Sequence, residues 1–154
     1  MKDVRLILDN IRSVHNVGSI FRTAETVGVT KIYCLGTTPV PVDRFSQKRK
    51  DFAKVALGAE DLVPWEYVKT GTALLKKLKK QGYKIVALEQ AENSVNYKKI
   101  KKSAKVALIV GNEVGGVSKS LLRLADQVAE IPMKGKKESL NVAVATGVML
   151  FGMC

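Results

Sequence analysis

Histidine occurs once in this chain of 154 residues, as His15, and cysteine twice, as Cys34 and Cys154. Neither cysteine has a histidine neighbour or a metal-ligand spacing, so the common zinc sites and a disulfide framework are excluded and no metal is expected. Cys34 lies in an apolar run and reads as core, which suits a reducing, cytoplasmic setting. Long apolar runs are also lacking. The longest, near the C-terminus, is interrupted by Thr146 and Gly147 and is too short to span a bilayer. The stretch MKDVRLILDNIRSVHN has neither the apolar core nor the cleavage site of a signal peptide, and no membrane partner is expected. Acidic residues are scarce: 14 stand against 26 Lys and Arg, a formal net charge of +12. Such a balance draws polyanions, nucleic acid first. No basic helix carries the aromatic anchors that an anionic membrane surface would call for.

What is present describes a folded chain, 46% hydrophobic and 26% charged, of a length that suits one domain with no accessory RNA-binding domain. Strand-like apolar runs alternate with helical periodicity, the pattern of an α/β domain with a mostly parallel sheet flanked by helices. Strands are predicted at Val4–Leu8, Lys31–Leu35, Tyr83–Leu88, Val106–Val110 and Gln127–Ile131, with a weaker one around Leu62–Trp65. Val17, Ile20, Phe21, Ala24 and Val27 mark one face of a helix that Gly28 ends. GTALLKKLKKQG is an amphipathic surface helix with Leu74, Leu75 and Leu78 inward, and Ser118 is placed to cap a short helix through Leu124.

Basic residues gather in RFSQKRKDFAK, KKLKK, YKKIKK and KGKK. Any one of these alone suits a solvated face; together with the excess charge they suit a surface that tracks phosphates. Arg44, Lys48, Arg49, Lys50 and Lys54 are the leading candidates, because they follow Pro39 and Pro41 in a long connection of the kind that often carries function.

Three stretches carry candidate chemistry. NIRSVHNVGSIFRTAETVGV follows the first strand, where open α/β sheets place their ligand loops; Asn16 reads as a helix cap or a site residue, and Arg22 as a helical surface residue or one. VALIVGNEVGGVSKSLL is a strand, a glycine-rich turn and a helix, yet it has neither the Gly-Lys-Ser/Thr ending nor the G-x-G-x-x-G spacing of the phosphate cradles. Glu113 inside the turn would repel a polyphosphate, so a phosphate-free nucleoside fits better than ATP or NAD. In EIPMKGKKESLNVAVATGVMLF, Ser139 or Asn141 is placed to cap a final helix whose apolar residues, Val142 to Phe151, surround the axis. A helix apolar all round must be covered on all sides. One face meets the sheet, and a second copy of the chain most simply meets the other.

These pieces, N-x-G-[AS]-x-x-R (Asn16 to Arg22), G-N-E-x-x-G (Gly111 to Gly116) and I-P-M-x-G-x-x-x-S-L-N-V (Ile131 to Val142), resemble the ordered motifs of the SpoU (TrmH-type) RNA ribose 2′-O-methyltransferases of the SPOUT superfamily. The resemblance covers essentially the whole chain, including KVALGAED (Lys54 to Asp61). It implies an α/β fold whose C-terminal part threads into a deep trefoil knot, a homodimer, S-adenosylmethionine as cofactor, and tRNA or rRNA as substrate. Matched by motif, Arg22, Asn16, Glu113, Ser139 and Asn141 are the implied catalytic residues. Gly111, Asn112, Glu113, Gly115, Ile131, Met133, Ser139 and Leu140 are the implied cofactor residues. His15 is not part of the pattern. The alternative is a catalytically silent RNA-binding protein with the same fold.

Overall fold

A computed structural model describes residues 2–101 and 103–154; Lys102, in the YKKIKK cluster, lies outside the described residues. Seven strands, β1 (Asp3–Asp9), β2 (Lys31–Leu35), β3 (Trp65–Val68), β4 (Lys84–Leu88), β5 (Val95–Asn96), β6 (Lys105–Gly111) and β7 (Gln127–Glu130), form one sheet. Its order is β3-β2-β1-β6-β4-β7-β5. Every neighbouring pair runs parallel, so both faces need helical cover.

The alternation of side chains along the strands divides the interior into two cores. Leu6, Leu8, Ile32, Cys34, Val86, Leu108 and Val110 point to one face, and Ile7, Tyr33, Leu35, Ile85, Ala87 and Ile109 to the other. On the first face lie α1 (Val14–Val27), α2 (Lys50–Ala56), α3 (Ala59–Leu62) and α6 (Val142–Met153); on the second lie α4 (Gly71–Lys80) and α5 (Lys119–Leu122). Burial pushes the Cys34 thiol up to about 12, which removes it from nucleophilic chemistry.

Several expectations need correcting. The weak strand around Leu62–Trp65 begins instead at Trp65, because Leu62 closes α3 and Pro64 has no N–H for the ladder. The connection carrying Arg44 to Lys54 contains α2, whose Phe52 and Ala56 recur at i, i+4 and are both fully buried. The side-chain cap of α1 is Ser13, whose Oγ accepts from the Asn16 N–H at 3.1 Å, and this leaves the Asn16 side chain unused for capping. Ser118 stands at the start of α5, but its Oγ donates to the buried Asp9 at 2.7 Å, and the helix stops at Leu122. Within one copy, as expected for a helix with one face on the sheet, Thr146, Met149 and Leu150 of α6 are fully buried, whereas Val144 and Phe151 are 53% and 65% exposed. No helix among the described residues is long and apolar enough to cross a membrane.

Phe21 on α1 meets Phe52 on α2 edge to face, with ring centroids 5.1 Å apart, and both rings are fully buried. Phe21→Ala is expected to cost about 3–5 kcal/mol of stability, read as a lower urea midpoint. A loss below about 1 kcal/mol would show that this contact does not anchor α2.

Candidate active site

The loops after β4, β6 and β7 leave the carboxyl ends of three adjacent strands, where parallel sheets place their ligand crevices. Between these loops and the start of α6 lies a cleft of about 300 Å³. Leu88, Val110, Ile131, Met133, Leu140 and Val142 give it apolar walls. Glu89, Glu113, Glu130 and Glu138 line it as well, so four carboxylates gather here in a chain of strongly positive charge.

The wall after β6 is a tight turn. The Asn112 N–H and C=O bond to Gly116, and the Asn112 Oδ1 accepts from the Val114 and Gly115 N–H groups at 2.8 and 3.1 Å. Its Nδ2 donates to the Asn10 carbonyl at 2.8 Å, which ties the turn to the end of β1. Asn112 therefore shapes the turn with its side chain. A Cβ on Gly111 would sit 2.3 Å from the Gly116 carbonyl carbon, so the crossing of these two backbone segments admits no side chain there. Gly115, implied as a cofactor residue, is exposed and off the cleft wall; Gly116, at φ 68°, takes that place.

Residues of all three motifs meet beside the cleft. The Asn16 Nδ2 donates to Glu113 Oε1 at 2.6 Å, and the Asn16 Oδ1 accepts from Asn141 Nδ2 at 3.1 Å. Asn141 also caps α6, its Oδ1 accepting from the Ala143 and Val144 N–H groups at 2.9 and 3.3 Å. One amide thus serves both as cap and as site residue, because its oxygen and its nitrogen face different partners. Ser139, Ile131, Met133 and Leu140 all line the cleft.

Arg22 does not join this group within one copy of the chain. It stands on the outer face of α1 in a separate, open groove of about 760 Å³, with His15, Thr26, Lys54, Leu57 and Phe151. Residues 15, 19, 22 and 26 share that face by helical spacing, whereas Asn16 is turned away from it. Of the basic candidates, only Lys54 lies in the groove with Arg22. Lys48 is paired with Asp61 and Arg49 with Asp51 at 2.7 Å, while the Arg44 guanidinium lies over the Phe45 ring. Lys50 is exposed at the start of α2. Among the described residues, no cluster of three or more His, Cys, Asp or Glu suits a metal ion.

Sequence reasoning passed over Asp9, Glu89 and Gln90. All follow or end an apolar strand, and a polar residue at a parallel strand's carboxyl end is the signal that would have found them.

A parallel sheet with a carboxylate-lined cleft of about 300 Å³ at its carboxyl edge defines an α/β protein with a small-ligand site. The chain belongs to the SpoU rRNA Methylase family, whose model matches residues 3–151. It is 34% identical over 150 residues to a tRNA (guanosine(18)-2′-O)-methyltransferase of Aquifex aeolicus, across 97% of this chain and 68% of that protein. A 23S rRNA (guanosine-2′-O-)-methyltransferase of Xanthomonas axonopodis is 34% identical over 146 residues, 95% of this chain but 56% of that relative. Among solved structures, the AdoMet-bound rRNA methyltransferase from Sinorhizobium meliloti superposes with a TM-score of 0.87 at 34% identity, covering 98% of this chain and 55% of that one. The A. aeolicus TrmH/SpoU tRNA modifying enzyme gives 0.86 at 32% identity, covering 99% and 74%.

The two duties of Asn141 can be separated by substitution. Asn141→Asp keeps the capping oxygen but loses the donor to Asn16, so stability should hold while activity falls. Asn141→Ala should lose activity and also about 0.5–2 kcal/mol of stability in urea melts. Equal activity of Asn141→Asp and wild type would remove the bridge from the site.

Proposed function

We propose that this chain transfers a methyl group from S-adenosylmethionine to a ribose 2′-hydroxyl of structured RNA. One observation carries the reading: a small carboxylate-lined cleft, flanked by the hydrogen-bonded Glu113, Asn16 and Asn141, in a chain of net charge +12. The carboxylates disfavour ATP and NAD and suit a cofactor bearing a sulfonium and an ammonium. The cleft's volume is at the lower end for nucleoside-sized ligands, and its apolar walls suit an adenine ring. Gly111, Ile131, Met133, Ser139 and Leu140 would hold the cofactor. The AdoMet-bound structural relative and the relatives named for tRNA and 23S rRNA support cofactor and substrate class.

The sulfonium, when bound, supplies an electrophilic methyl group, so the chain's own task is to align the hydroxyl and ease loss of its proton. Positioning of this kind supplies roughly 7–11 kcal/mol in favourable cases. Asn16, Glu113 and Ser139 orient the ribose from the cleft side. Arg22 acts as a cation that grips an RNA phosphate and stabilises the developing alkoxide. A guanidinium does not lose its proton readily, so base assistance falls to the substrate phosphate.

Arg22 reaches the cleft from a second copy of the chain. Supporting this, cleft and Arg22 groove are separate surfaces of one copy, and the exposed Phe151 of α6 lines the groove while Val142 and Ala145 of the same helix line the cleft. In the same reading the chain's last loop and α6 thread past the glycine turn as a trefoil knot. Supporting that, β7 lies beyond β4 from β6, yet α6 returns to pack on α1 and β6.

The test is transfer of labelled methyl from S-adenosylmethionine to tRNA and rRNA, with 2′-O-methyl nucleosides identified after digestion. Tight RNA binding without transfer would mark a silent RNA-binding protein instead. Arg22→Ala is expected to reduce turnover by about 10²-fold or more with cofactor binding near wild type, and Arg22→Lys to be poor because the fork geometry is lost. Lys54→Ala should raise the RNA KM and lower the salt slope by about one.

A further inference from the structure

Resting on the reading above, we infer that Glu89 and Gln90, the two residues after β4, are positioning residues that set the width of the cofactor cleft. β4 lies between β6 and β7 in the sheet, so the chain leaving it emerges between the glycine turn on one side and the 131–141 loop on the other. The Glu89 N–H extends the β4–β7 ladder by bonding to the Ala129 carbonyl at 2.9 Å. Its carboxylate then turns the other way. Oε2 accepts from the Val117 N–H at 2.8 Å, at the end of the glycine turn, and Oε1 accepts from the Gln90 N–H at 2.9 Å. Gln90 completes the span, its Nε2 donating to the Glu138 carbonyl at 2.7 Å. Two consecutive side chains thus tie both loop walls of the cleft to one strand of the sheet.

Gly116 fits the same device. A Cβ there would lie 2.0 Å from Glu89 Oε2, so the third glycine of the turn leaves the space that this carboxylate fills. Both residues line the cleft, and neither belongs to the three motifs. Gln90 is exposed, so its loss does not open a hole in the core.

The tie predicts a defect in cofactor affinity with a distinct signature. Gln90→Met keeps length but has no donor; it should raise the Kd for S-adenosylhomocysteine about 5-fold, the factor a lost hydrogen bond of ordinary strength carries. Glu89→Met should do the same, whereas Glu89→Gln, which keeps an acceptor for Val117, should restore most of the affinity. Titration calorimetry on the whole chain reads these values. Amide exchange measured without any cofactor reads the tie itself: residues 131–141 should exchange faster in Gln90→Met, with the rest of the sheet unchanged. Unaltered exchange in that loop, or Met variants that bind as wild type does, would overturn the inference. A wild-type chain that binds no S-adenosylhomocysteine would instead sink the proposed function, and the exchange result would still decide whether the tie exists.

Discussion

The side chain of Asn16 lies between two groups 97 and 125 residues away along the chain, Glu113 and Asn141. Its amide nitrogen is held by the carboxylate and its oxygen by the second amide, so it has one orientation only. That bridge works because each partner is fixed by something rigid behind it. Glu113 sits in a turn closed by Asn112 and docked on the end of β1. Asn141 is committed by its own oxygen to the first turn of α6. Ser13 relieves Asn16 of the capping duty that its position suggests. Remove any of these supports and the site becomes three loops.

The same economy appears at the sheet. Strand order brings β6 between β1 and β4, so its turn is touched from both neighbours: Asp9 accepts from Ser118 on one side and Glu89 from Val117 on the other. Carboxylates that accept backbone N–H groups at both flanks, one of them the buried Asp9, leave the turn little freedom. The close crossing of Gly111 and Gly116 follows from this confinement, and it explains why glycine is required at positions that bind nothing through a side chain.

Charge is distributed against the chain's average. A protein at +12 keeps four carboxylates around its cleft and sets Arg22 and Lys54 in a different groove. Such a separation suits one region for a cationic small molecule and another for a polyanion. Part of the basic surface is neutralised locally, since Lys48 and Arg49 are each paired with an aspartate. A cluster of lysine and arginine letters therefore overstates the positive field available to a partner.

The resemblance of motifs two and three supplied residues that line the cleft, Gly115 excepted. The sequence by itself determined the alternating α/β plan, five of the seven strands and the glycine turn. Those are local properties: apolar period, turn chemistry and strand ends write themselves within ten residues. It did not determine β3's start beyond Pro64, the two-residue β5, or α2, whose helical register rests on burying Phe52 against Phe21. Only the tertiary structure decided that Asn141 caps and bridges at once, that Asn112 serves the turn, that Glu89 and Gln90 span the cleft, and that Arg22 faces away from it. Each of these is a hydrogen bond or a helix face set by elements far apart in the chain, and no local pattern carries that information.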